Sequence, residues 1–214
     1  MRIVSVNVGR PRTVTWRGRS VTTAIFKEPV RGRVPVRRLN LEGDGQADLS
    51  VHGGADKAVY VYPAEHYLDW QRELPGLELP WGMFGENLTV EGLGEEDVHV
   101  GDRLRVGSAE VFVTQPRLPC YKLGIRLRRE DIIRRFLASG RTGFYLAVTR
   151  EGDVGAGDPI EVLGRDPQGV TVGDVTRLYV QDKRNVAKLR QAIRVALPPR
   201  RICRHAGDDW RIHL

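Results

Sequence analysis

The run Thr114-Gln115-Pro116-Arg117-Leu118-Pro119-Cys120-Tyr121-Lys122-Leu123 places one thiol just past the end of an apolar, strand-like stretch. Two prolines stiffen the backbone there, and Arg117 and Lys122 supply positive charge that favours thiolate over thiol. These are the ingredients of a reactive or metal-ligating cysteine. The plain alternative is a small buried hydrophobe, a common fate of free cysteines. A second constellation is Asp48-Leu49-Ser50-Val51-His52-Gly53-Gly54-Ala55-Asp56-Lys57-Ala58. Gly53 and Gly54 let the backbone come close to a ligand, and His52 and Lys57 can donate to oxyanions. His52 is suited by its ordinary pKa to relay protons, or it serves only to brace the loop. A third is Phe84-Gly85-Glu86-Asn87-Leu88, which standing alone reads as a turn into a strand with Glu86 solvated.

The elements that must position these groups are mostly short strands punctuated by Gly and Pro. Met1 to Val8 alternates as a first strand, and residues 14–16 and 21–26 flank the turn Arg17-Gly18-Arg19-Ser20 as a hairpin. Residues 34–39 read as an edge strand containing Pro35, and Ala58 to Tyr62 as a buried one. Pro63 then opens a helix to about Leu74 as its N1 residue. Residues 87–90, 102–106 and 109–115 read as strands, the last two a hairpin leading straight to Cys120. A helix over 129–138 stops at Gly140, and residues 143–148 and 159–163 add two strands. This pattern predicts a mainly β closed sheet or barrel with a few peripheral helices over residues 1–164. After the turn Asp166-Pro167-Gln168-Gly169, helical spacing over residues 170–214 predicts a small C-terminal module of three helices.

The chain has 214 residues, 41% hydrophobic and 29% charged, which is enough to bury a core without external staples. No apolar stretch is long enough to cross a bilayer and the N-terminus does not read as a signal peptide, so a cytoplasmic location is expected. Cys120 and Cys203 are far apart in different contexts, which argues against a disulfide framework. The net charge of +7 is uneven: residues 1–115 carry 14 Lys and Arg against 16 Asp and Glu, whereas residues 116–214 carry 20 against 11. The positive excess starts beside Cys120. Such a field attracts a phosphate-bearing cofactor, nucleic acid or an acidic protein, or is a solvated face.

Taken in order, Val51-His52-Gly53-Gly54, Asp56-Lys57-Ala58-Val59, Gly85-Glu86-Asn87-Leu88, Val100-Gly101-Asp102 and Gln115-Pro116-Arg117 before Pro119-Cys120-Tyr121-Lys122 resemble the MOSC domain family, and within it the YiiM-like subgroup. The resemblance runs from about Ser5 to Leu163 and is weaker over the tail. It implies a β-barrel that binds molybdenum cofactor, the metal held by the dithiolene of molybdopterin and by one protein cysteine, here Cys120. A soft thiolate suits molybdenum. The same resemblance implies that Arg117, Lys122, Lys57, Asn87 and the Gly53-Gly54 loop bind the cofactor, its terminal phosphate above all, and that His52, Glu86 or Asp102 relays protons. Similar enzymes reduce N-hydroxylated compounds, such as hydroxylamino purines and amidoximes, to amines by oxygen-atom removal. The alternative implied is a non-catalytic carrier of the cofactor or of sulfur.

The chain has no dinucleotide fingerprint, phosphate loop, zinc helix or cysteine cluster for iron and sulfur, so a separate electron-donor reductase is expected to supply electrons to the small-molecule substrate. The basic half suits docking of an acidic partner. Cys203, among Arg200, Arg201, Arg204 and His205, reads as a helix residue rather than a second ligand. Nucleic acid is not expected, because the arginine-rich tail has Trp210 alone as a stacking platform and no recognised DNA-binding motif, and a membrane partner is not expected, because no apolar stretch reaches bilayer length. A dimer is compatible with the sequence.

Overall fold

The computed structural model of the protein describes residues 1–47, 53–182 and 185. In chain order the elements are strands β1 (Arg2–Val8), β2 (Arg12–Trp16), β3 (Arg19–Thr23), β4 (Glu28–Pro29) and β5 (Val34–Val36), a 3-10 turn (Ala55–Lys57), β6 (Val59–Pro63), helix α1 (Glu65–Glu73), β7 (Leu88–Glu91), β8 (Arg103–Val106), β9 (Ala109–Pro116), helices α2 (Tyr121–Leu127) and α3 (Ile132–Ser139), β10 (Phe144–Arg150), β11 (Gly152–Val154), β12 (Ile160–Gly164) and helix α4 (Val172–Val180). The protein is mainly β. Among the described residues no helix is long and apolar enough to cross a membrane.

Eight strands form one sheet in the order β12-β8-β9-β10-β6-β7-β1-β4, while β2 pairs with β3 and β5 with β11. Every neighbouring pair in the large sheet is antiparallel except β6 and β7, which run parallel. The crossover that a parallel pair needs is supplied by α1.

The closed barrel expected from the sequence is corrected to an open, curled sheet. Its ends are drawn together by the isolated bridge Arg2↔Pro159 and by hydrogen bonds from Ile3 N to Asp158 O (2.9 Å), Gly157 N to Ile3 O (2.8 Å) and Ile160 N to Met1 O (3.1 Å). The gap has a local cause. The far half of β1 spends the same free edge on β4, at Asn7↔Pro29 and Val8↔Glu28. Pro159, at the meeting point, has no N–H with which to extend a ladder.

Period-two alternation divides the core. Along β6, Val59 and Val61 join the aliphatic cluster with Ile3, Val90, Leu104, Val113 and Leu146, whereas Tyr60 and Tyr62 face an aromatic cluster with Trp70, Phe84 and Phe136. This second layer packs α1, α2 and α3 on the sheet, with Tyr62 and Phe84 stacked at 4.7 Å between ring centroids. Such ring pairs contribute about 0.5–1.5 kcal/mol beyond the area they bury.

The β2–β3 hairpin forms as expected, with Arg17 and Gly18 at positive φ as its two-residue turn requires. Pro63 ends β6 rather than opening the helix, because it stays in register with Val90 while Ala64 N bonds to Val90 O at 2.7 Å. Helix α2, which begins directly after Cys120, was not expected: seven residues are too few to show a helical period. Helix α3 ends at Gly140 (φ 70°), and α4 begins at Thr171 in a reciprocal capping box with Asp174. Of the expected C-terminal module, α4 is described. Residues 183, 184 and 186–214, with Cys203, lie outside the described residues.

Candidate functional site

Strand β9 sits between β8 and β10 in the sheet, so the segment leaving it starts from a fixed point. Arg117 N donates to Gly143 O at 3.2 Å, and the chain then runs through Pro119 to Cys120, which caps α2 in extended conformation (φ −121°, ψ 173°). Two prolines and a helix start therefore hold the thiol at one place on the wall of a cleft. The cleft encloses about 700 Å³, part of it open to solvent, and lies over the register pair Tyr60↔Tyr145 of β6 and β10.

Of the residues expected from the sequence, Cys120, Arg117, Lys122, Lys57 and Asn87 all line this cleft. Cys120 is half-buried, and Arg117 and Lys122 are buried. Gly53 and Gly54 are not among the lining residues, and Gly54 N donates to Gln46 Oε1 at 3.1 Å. His52 lies outside the described residues. Asn87 forms part of the wall with both amide hydrogens committed: Nδ2 donates to Asp44 Oδ2 (2.8 Å) and Asn7 O (3.3 Å), while Oδ1 accepts from Tyr60 N (3.1 Å). It thus ties the start of β7 to β6.

Arg117 is the electrostatic centre. It is 6% exposed and forms no ion pair among the described residues, and its Nη1 is buried without a hydrogen-bond partner. Its guanidinium lies over the rings of Tyr60 (5.0 Å) and Phe136 (5.4 Å). Burial opposes its charge, but Tyr60, Tyr145, Cys120 and Tyr62 act the other way and its pKa is raised. Burial in turn pushes all three tyrosine hydroxyls above their ordinary value. They stay neutral at neutral pH. Of the four groups, Cys120 is the one that can carry the counter-charge. The hydrogen bond of Arg117 with Tyr145 is to a neutral hydroxyl and Nη1 stays unpaired, so among the described residues no carboxylate offsets the burial of this guanidinium. Lys57 adds a second cation, its pKa lowered by burial.

Two residues that sequence reasoning missed stand in the same wall. Lys27 Nζ reaches both carboxylate oxygens of Asp44 at 2.5 Å, and Asp44 is fixed further by Gly9 N (2.8 Å) and Asn87. Both line the cleft and are almost fully enclosed. Neither carried a signal: Asp44 reads as one polar residue of a glycine-rich loop, and Lys27 as a strand-end cation.

Glu86, expected to be solvated if it only marks a turn, is 0% exposed. Its Oε1 accepts from Tyr67 Oη, Gly82 N (2.8 Å) and Thr89 Oγ1 (2.9 Å), and Oε2 has no partner. Burial raises its pKa against the pull of these bonds. Its neighbours Gly85 and Asn87 line the cleft, but Glu86 does not. Asp102 also stands away from it, bonded to His99, Arg165 and Asp166.

No group of three or more His, Cys, Asp or Glu among the described residues is arranged to hold a metal ion. A metal in this cleft would have to bring most of its own ligands. One soft donor, buried positive charge and an open volume fit a cofactor that is anionic and already chelates its metal.

The family model for the MOSC domain matches residues 48–161. The protein YflK of Bacillus subtilis is 42% identical over 209 residues, covering 98% of this chain and 90% of its own length. The crystal structure of YiiM from Geobacillus stearothermophilus superposes with a TM-score of 0.77 at 34% identity over 91% of each chain. A protein of Gibberella moniliformis named a reductase is 34% identical over 164 residues, which are 75% of this chain and 29% of that protein.

Proposed function

The chain belongs to the MOSC domain family, and from that membership we propose that it is a molybdenum-cofactor-dependent oxidoreductase that reduces N-hydroxylated compounds, such as hydroxylamino purines or amidoximes, to amines. The observation that carries the reading is Cys120 on the cleft wall beside a buried Arg117 with no carboxylate partner. The relative named a reductase supports redox chemistry over a carrier role.

When bound, the cofactor supplies two-electron oxygen-atom transfer at molybdenum. Cys120 is the protein ligand, and Arg117 keeps it as thiolate by offering the positive charge that the neutral tyrosines leave unpaired. Arg117, Lys57 and Lys122 hold the cofactor's phosphate. Tyr60 and Tyr145 floor the cleft and keep bulk water from the thiolate. Asn87 acts on the wall rather than on the ligand, because its amide hydrogens are spent. His52 stands as a candidate proton relay. Electrons come from a separate reductase.

The test is metal analysis of protein made in a cofactor-competent host, together with turnover of a hydroxylamino purine by reduced viologen dye. Molybdenum near one per chain is expected, with both metal and turnover lost in Cys120→Ala. A molybdenum-loaded, active Cys120→Ala protein would sink the proposal, and loaded wild-type protein without turnover would favour the carrier.

A further inference from the structure

We propose that Lys27, clamped by Asp44, is the acid of the cleft and delivers a proton to the oxygen that leaves the substrate. The inference rests on the reductase reading above and concerns residues that reading does not use. Converting R–NH–OH to R–NH2 and water breaks the N–O bond and consumes two electrons and two protons. The external reductase supplies the electrons. In the balance, one of the two protons ends on nitrogen and the other on the oxygen, which is released as water.

An ammonium carries three donors. Two from Lys27 Nζ go to Asp44 Oδ1 and Oδ2, and the third has no acceptor among the described residues. Asp44 is the one carboxylate among the described cleft-lining residues, and Lys27 pairs with it. Its own position is over-determined by Gly9 N and Asn87 Nδ2, so the ammonium is held with one N–H left for a ligand. Tyr60 and Tyr145, also lining the cleft, are poor acids because burial pushes them up. Two other candidate acids, Glu86 and Asp102, are not among the lining residues.

The charged groups facing Lys27 are Asp44 and Glu86, with Arg126 of α2 donating to its carbonyl at 3.4 Å. Burial lowers the Lys27 pKa, and both carboxylates oppose that shift. A lysine so placed gives up its proton more readily than a solvated one.

The decisive variant is Lys27→Arg, which keeps the charge and the pair with Asp44 but cannot release a proton. With molybdenum content unchanged, turnover should fall about 100-fold or more, the usual share of a general acid. Asp44→Asn should move the alkaline limb of kcat/KM to lower pH. In ¹⁵N NMR of the lysine side chains, a readout independent of turnover, the Lys27 ammonium should deprotonate at lower pH in Asp44→Asn than in wild type. A loaded Lys27→Arg protein with wild-type turnover overturns the inference alone, as does an unshifted Lys27 titration. Loss of molybdenum from Lys27→Arg would also overturn it, by giving Lys27 to cofactor binding. An inactive wild type overturns the reductase reading and this inference with it.

Discussion

Glu86 and Asp102 are both buried carboxylates, each directly after a glycine of positive φ, and the fold treats them in opposite ways. Asp102 uses both oxygens: Oδ1 accepts from Asp166 N (2.9 Å), and Oδ2 from His99 N (2.9 Å) and Arg165 Nη1 (2.7 Å). It latches the segment before α4 onto the start of β8. Glu86 loads three donors onto Oε1, leaves Oε2 bare and has no ion pair among the described residues. Arg117 on the cleft wall and Arg126 on α2 likewise keep a buried nitrogen without a hydrogen-bond partner, whereas the one such atom of the latch region, His99 Nδ1, lies 3.4 Å from Asp102 Oδ2. Polar satisfaction thus separates a carboxylate whose two oxygens hold the chain together from one that leaves an oxygen unpaired behind the cleft wall.

Breaking the latch should have the largest effect. Asp102→Ala leaves two backbone N–H groups without their acceptor and frees the half-exposed Arg165, and a loss of about 2–4 kcal/mol is expected in denaturant unfolding. A smaller loss would place Asp102 among the incidental contacts.

The two glycines test the comparison next. An added Cβ would stand 2.6 Å from Asp166 Oδ2 at Gly101 and 2.8 Å from Ile25 Cγ1 at Gly85, both at positive φ. Gly101→Ala and Gly85→Ala should each cost about 1–3 kcal/mol. Gly85→Ala should also weaken ligand binding, because Ile25 lines the cleft, and Gly101→Ala should not.

The smallest effect belongs to Glu86→Gln, which keeps the Oε1 acceptor and mimics the neutral acid: a change within about 1 kcal/mol near pH 5 is expected. Because burial raises the folded pKa of Glu86, its contribution is complete below the unfolded value and is lost as pH rises through the folded one. Unfolding curves from pH 4 to 8 should therefore show wild type losing stability relative to Glu86→Gln as pH rises. Parallel curves would mean that Glu86 is charged in the fold.

Most strands were legible because alternation and turn residues act locally: β6, the β2–β3 hairpin and β9 leading to Cys120 needed no tertiary knowledge. Arg117 and Lys122 were legible for the same reason, standing within three residues of the thiol. Helix α2 was hidden by its length, and the barrel by an edge that β1 shares between two partners. Lys27 and Asp44 were invisible because their meaning is a pairing between two separate loops, and neither loop announces a ligand. Glu86 and Asp102 sat in look-alike motifs, and only their partners tell them apart.

The contact between Met1–Ile3 and Asp158–Ile160 also orders events in time. A ribosome releases β1 long before the segment that meets it, and the cleft draws its wall from points between Thr23 and Tyr145. Non-local pairing of this kind slows folding. A growing chain therefore shows its thiol before the last residue of the cleft wall, Tyr145, has been made.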